Sequence, residues 1–198
     1  METKIKRMLR KAKEFNKIAE IDEIARRYFA LNSFDGVLTT LGIMLANFFA
    51  GIRTNSVIII SCLGAAIAVA ISGFYGAYAT ERSERTGALK KLEKKIGFSL
   101  RKTAIEKAHF YAIFVLALIE GFSPFLIALS MIIPFFIAKD IMVAYFTSFA
   151  IAMVLLFLLG IFLGKISKEN LFNSGAKMLI AGAICTVILY IVEKLLNI

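Results

Sequence analysis

Tryptophan is absent, histidine occurs once, and proline and cysteine occur twice each in a chain of 198 residues. Two cysteines, Cys62 and Cys185, each standing inside a long apolar run, exclude both a disulfide scaffold and a CxxC metal knuckle. The lone imidazole, His109, is a weak metal signal without His or Cys neighbours and reads as an interfacial residue. Acids are scarce as well, with fourteen Asp and Glu against twenty-four Lys and Arg for a formal net charge of +10. No Walker-type phosphate loop, HExxH, GxSxG or paired catalytic carboxylates occur, so no enzyme is expected.

What the chain has in abundance is apolar surface: 59% of its residues are hydrophobic and its mean hydropathy is +0.78. That is the composition of an all-α integral membrane protein. In a soluble chain the positive charge would point to nucleic acid. Here it points to basic loops at a membrane surface, and no nucleic-acid partner is expected.

A bilayer core of roughly 30 Å takes about 20 helical residues to cross. Spans are predicted at 30–51, 54–80, 141–164 and 171–192, the last carrying Lys177, which can snorkel to the interface. The run 108–138 is apolar except for His109 and Glu120. As one helix it would reach about 46 Å at roughly 1.5 Å per residue, too long for one crossing and too short for two. Gly121 and Pro124 mark a break, so 103–120 is predicted to lie on or dip into the inner interface and 122–138 to form the third of five spans. Twenty-one of the basic residues then fall on one side and only Arg53, Lys139 and Lys194 on the other. The positive-inside rule therefore puts the N-terminus in the cytoplasm and the C-terminus outside.

The expected organisation is a cytoplasmic amphipathic helix over 1–29 and a five-span membrane domain over 30–198, with a short cytoplasmic or interfacial helical region at 81–120 between the second and third spans. In the first segment Ile5, Met8, Leu9, Ala12, Phe15, Ile18, Ile21, Ile24 and Ala25 recur mostly at three- and four-residue steps among basic residues. That is the pattern of a helix lying along the inner leaflet or of a solvated helix packed on the cytoplasmic loops. With no cleavable signal in sight, a prokaryotic plasma membrane is the simplest location.

Ionisable groups at membrane depth are candidate functional residues. Asp35 lies in the first span, and Thr39, Gly42 and Ala46 follow it at helical steps as one polar, small face. It reads as a metal or proton ligand, or as a helix cap within an Asn32 to Gly36 turn. Glu120, at the expected break, is the second candidate ligand or proton relay. Gly64, Ala68, Ser72, Gly73 and Gly76 in the second span and the Gly160/Gly164 pair in the fourth are helix-packing signals. Met44, Met131, Met142, Met153 and Met178 are scattered, as core-filling methionines are. Lys90, Lys91, Lys94 and Lys95 offer an inner face to anionic lipid.

Several stretches together resemble the vacuolar iron transporter family. They are Arg27 with Ser33-Phe34-Asp35-Gly36, the small-residue run Gly64-Ala65-Ala66-Ile67, the closing stretch from Ser72 to Glu81, and Ser123 through Ile133-Pro134. The resemblance implies a five-span homodimer that moves Fe²⁺ or Mn²⁺ out of the cytosol in exchange for protons, the metal being cargo rather than a permanently bound cofactor. It also implies an Asp35 from each subunit near a shared axis, with Thr39 hydroxyls, water, and Glu120 or Glu81 completing the ligands. The chain departs from the family pattern at Cys62 and Ala70, where the family carries a glutamate and a methionine, and at Tyr28, where it carries an acid. Residues 81–107 hold nine basic residues and four acids where the family has a carboxylate-rich collecting domain. Two other functions fit the same scaffold: a proton-coupled carrier of another solute, and a lipid-binding membrane scaffold that transports nothing.

Overall fold

The computed structural model describes residues 4–196. It contains seven helices: α1 (Lys4–Ala19), α2 (Ile21–Phe49), α3 (Asn55–Ile96), α4 (Ala104–Ile132), α5 (Pro134–Ile137), α6 (Ile141–Ser167) and α7 (Leu171–Leu196). No strand occurs among the described residues. Five stretches are long and apolar enough to cross a membrane, namely α2, α3, the α4–α5 pair, α6 and α7. The chain is all-helical with five candidate spans, as composition and run length predict.

Three expectations about helix ends are corrected. α2 begins at Ile21 rather than near Ala30, its first turns carrying exposed Asp22, Glu23, Arg26 and Arg27. Asp35 therefore lies mid-helix, and the capping turn over Asn32 to Gly36 does not exist. α3 continues without interruption to Ile96, so the charged region after Thr80 is the same helix and not a separate segment. α4 runs straight through Gly121 and Pro124, where a break is predicted. A proline inside a helix removes one backbone donor and crowds the preceding turn. Pro124 is buried, and a Cβ on Gly36 would stand 2.7 Å from its Cα. The missing side chain of Gly36 is thus what lets α2 pack directly on the proline turn.

The junctions are made by local polar chemistry. Glu20 takes a left-handed φ of 50° between α1 and α2, and Asn16 braces the corner: its amide donates to Asp22 Oδ2 at 2.6 Å and its carbonyl accepts from Asp22 N at 3.0 Å. After α3, the Glu93 carboxylate accepts from Leu100 N at 2.6 Å and Ser99 Oγ at 3.1 Å. Asp140 caps α6 by accepting from Met142 N, and Asn170 accepts from Phe172 N and Asn173 N at the start of α7. Asn16, Asp140 and Asn170 each supply a partner for backbone donors that a helix start leaves unpaired, while Glu93 ties the loop after α3 back to that helix.

Two compact units emerge, one comprising the chain up to Phe29 with Ile71–Gly121, the other Ala30–Ala70 with Phe122 onward. In the first, Ala19 and Ile21 pack with Ala108, Ala112 and Leu116 of α4, and Phe15 meets Tyr111 at 5.7 Å. The side chains of Ile5, Met8 and Leu9, part of the predicted apolar stripe of α1, lie outside the described residues. The core of the second is built on Val37, Leu41, Met44, Cys62, Met131, Phe135, Tyr145 and Leu156. Tyr145, fully buried, donates its hydroxyl to Ile52 O at 3.0 Å and stacks edge-on with Phe48 and Phe135.

α6 and α7 meet through glycine. A Cβ on Gly160 would stand 2.6 Å from Gly175 Cα and closer still to Ser174 O, and one on Gly164 would stand 2.7 Å from Ser174 Oγ. Backbone atoms cannot swing aside, so Gly160→Ala forces the helices apart and costs about 1–3 kcal/mol. Gly64→Ala meets nothing within 4 Å in the chain and stabilises its helix by about 0.5–1 kcal/mol. Thermal unfolding of the two variants in detergent should show opposite shifts.

Candidate functional site

The first unit holds a buried polar network that begins where α3 turns from apolar to charged. Glu81 and Arg85, four residues apart and therefore on one face of α3, form an ion pair with Nε–Oε2 at 2.7 Å. They are only 3% and 7% exposed. The other Glu81 oxygen accepts from Tyr28 Oη of α2 at 2.8 Å, and Arg85 Nη1 donates to Ala19 O at 3.3 Å. Ala19 ends α1, where a helix leaves carbonyls without an intrahelical donor. One ion pair thus ties α1, α2 and α3 together. With both oxygens committed and its charge cancelled by Arg85, Glu81 is a structural carboxylate and not a free metal ligand.

Beside this pair lies a cavity of about 310 Å³ lined in part by Glu20, Arg27, Glu81, Glu84, Arg85 and His109. The His109 Nδ1 is buried and has no hydrogen-bond partner among the described residues. Glu120 belongs to the same unit, and its charge acts on Tyr28 while Glu81 acts on it. A Cβ on Gly73 would stand 3.3 Å from Glu120 O, so α3 and α4 cross closely at this acid. Sequence alone points to Glu120 and marks Tyr28 only as a departure from the family pattern, and it does not single out Arg85. The signal for them was the i, i+4 spacing of Glu81 and Arg85, together with the departure at Tyr28, where a phenol stands in place of an acid.

Asp35 and Thr39 lie in the second unit, one turn apart on α2. Asp35 is exposed on the protein surface while its neighbour Gly36 is buried, and the carboxylate has no hydrogen bond or ion pair among the described residues. Among those residues no three His, Cys, Asp or Glu side chains come together as a metal site. Lys90, Lys91, Lys94 and Lys95 are all exposed on the last turns of α3. Of the predicted packing residues, Gly73, Gly160 and Gly164 face a neighbouring helix, whereas Gly64 has nothing within 4 Å and Ala68 is exposed. Lys177 pairs loosely with Glu169 at 3.4 Å on the exposed surface.

No family model matches the chain. It is similar to the uncharacterized protein MJ0645 of the archaeon Methanocaldococcus jannaschii, with 37% identity over 177 residues covering 87% of this chain and 90% of the relative.

Removing one partner of a buried ion pair leaves an uncompensated charge, which costs about 3–5 kcal/mol. Arg85→Met and Glu81→Gln are each expected to destabilise the first unit strongly, while Glu81→Leu combined with Arg85→Leu costs less than the two single losses added. Tyr28→Phe should cost about 1.5–3 kcal/mol, the worth of a hydrogen bond to a charged group. Unfolding in detergent of these variants, with Glu81→Leu and Arg85→Leu also measured singly to close the cycle, checks all three.

Proposed function

This chain belongs to the same family as the Methanocaldococcus jannaschii protein, and we propose that it is a five-span membrane transporter of a divalent metal ion. On this reading it works on the vacuolar iron transporter plan, exporting Fe²⁺ or Mn²⁺ from the cytosol in exchange for protons, with the N-terminus inside and the C-terminus outside. The observation that carries it is Asp35: an unpartnered carboxylate at the surface of an apolar helix long enough to span. In hydrocarbon such a charge is costly unless it meets a cation, a proton or a polar partner. In a two-fold dimer the same residue is presented twice, and two Asp35 carboxylates with the Thr39 hydroxyls and water offer the oxygen ligands that Mn²⁺ and Fe²⁺ accept. Protonation of the same carboxylates would release the ion, which makes Asp35 both ligand and proton site. Glu120 is then a relay on α4, and α1 lies along the inner leaflet with its basic side toward anionic headgroups.

A second reading has its own support. The commitment of Glu81 to Arg85 and the lack of a three-ligand cluster among the described residues favour a proton-coupled carrier of a solute other than metal on this scaffold. The exposed lysines from Lys90 to Lys95 serve either reading by binding anionic lipid, each adding roughly 1 kcal/mol at the surface. On their own they also fit a lipid-binding scaffold that transports nothing.

Flux into proteoliposomes containing a metal-quenched dye decides among these. Fe²⁺ or Mn²⁺ entry should follow an imposed pH gradient and fall to the level of empty liposomes in Asp35→Ala. Asp35→Asn, which keeps the size and loses the charge, should be equally inactive. Unchanged flux in both variants removes Asp35 from the path. Absence of flux for either ion in the unmutated protein favours the second reading, and lipid-selective binding without any flux favours the scaffold.

A further inference from the structure

We propose that His109 is a proton-binding site that controls whether the α1–α2 corner stays docked on α3. Its imidazole lines the 310 Å³ cavity beside the Glu81–Arg85 pair, and its Nδ1 is buried without a partner among the described residues. A cavity of this size has room for several waters at about 30 Å³ each, so protons can reach the ring. The charged groups that line the same cavity come from α2, α3 and the α1–α2 corner. Glu20 lies at the corner, Arg27 on α2, and Glu81, Glu84 and Arg85 on α3; α1 contributes only apolar Ile18 and the backbone of Ala19.

The neutral ring leaves this arrangement intact. Adding a proton places a second positive charge beside Arg85 across the shared cavity, and the imidazolium repels Arg85, the charged group that acts on it. Exposed Glu20 and Glu84 do not offset this, because solvent screens them. Arg85 is then drawn off Ala19 O, the one hydrogen bond by which the ion pair holds the end of α1. The corner is also held by the Asn16–Asp22 brace, the Tyr28–Glu81 hydrogen bond, the Phe15–Tyr111 contact and the small apolar cluster around Ala19 and Ile21. The docked form therefore prevails at higher pH and is lost as pH falls through the titration of the ring.

The inference is independent of what the protein carries, and its test reads structure. The full chain in lipid nanodiscs is labelled at its single histidine, whose ring signal is then unambiguous, and hydrogen exchange is followed over residues 15–28. Between about pH 7.5 and about pH 5.5 exchange in that segment should rise at least about tenfold beyond its intrinsic pH dependence, the effect of roughly one pH unit of coupling. The midpoint should coincide with that of the His109 signal. In His109→Asn the segment should stay protected at both pH values. In Arg85→Gln it should be exposed at both. Persistence of the pH response in His109→Asn overturns the proposal. So does a His109 titration in the unmutated protein that leaves the segment unchanged, or whose midpoint lies more than about one unit away, and these two readings hold even where the variants do not fold.

Discussion

At several glycines the helices of this chain approach so closely that an added side chain would meet the neighbouring helix, and much of the architecture follows from that constraint. Inside a membrane apolar side chains gain nothing by leaving lipid for protein, so contact between helices rests on close packing. Gly36 admits Pro124, Gly73 admits the Glu120 turn, and Gly160 and Gly164 admit Ser174 and Gly175. The first of these seats α2 directly on the turn of α4 that carries Pro124. It also fixes which way α2 is turned, because residues one apart on a helix differ by about 100° in direction. With Gly36 held against α4, Asp35 is carried round to the exposed side.

The same economy governs charge. Glu81 and Arg85 are taken out of solvent together, and the pair is made tolerable by the Tyr28 hydroxyl and the Ala19 carbonyl, which use up remaining hydrogen-bonding capacity. Asp35 has no such arrangement within the chain. A carboxylate that is fully satisfied serves structure, and one that is not must find its partner elsewhere; this contrast separates the two acids more clearly than their positions in the sequence do. It is also why the proposed transport is placed at the Asp35 face and the proposed conformational role at the Glu81 network beside His109.

Much of this was legible in advance, for reasons particular to each element. The runs that became α6 and α7 are apolar and cleanly bounded, so their ends were predicted to within a few residues. α2 and α3 are predicted as spans but not at their full lengths, because a helix does not stop where its apolar run stops; the turns over 21–29 and 81–96 continue with charged residues. The break at Pro124 was predicted from a sound local rule that tertiary packing overrode. Asp35 stands out in the sequence because a charge in an apolar run is costly, and the one bland alternative, a helix cap, is removed by the continuity of α2. Arg85 does not, since an arginine in a charged stretch looks like any other until its partners are seen.

Composition and run length by themselves determined that this is an all-helical chain with five stretches able to cross a membrane, because apolar length is a property of the chain and needs no knowledge of neighbours. They also singled out Asp35 and Glu120. Only the tertiary structure decided that Gly36 packs on a proline, that Tyr28, Glu81 and Arg85 form one network with the end of α1, and that His109 looks into a cavity beside it. Those facts depend on which helix faces outlie or meet one another across tens of residues, and crossing points are set by side-chain volume on both partners at once, which no single stretch of sequence contains.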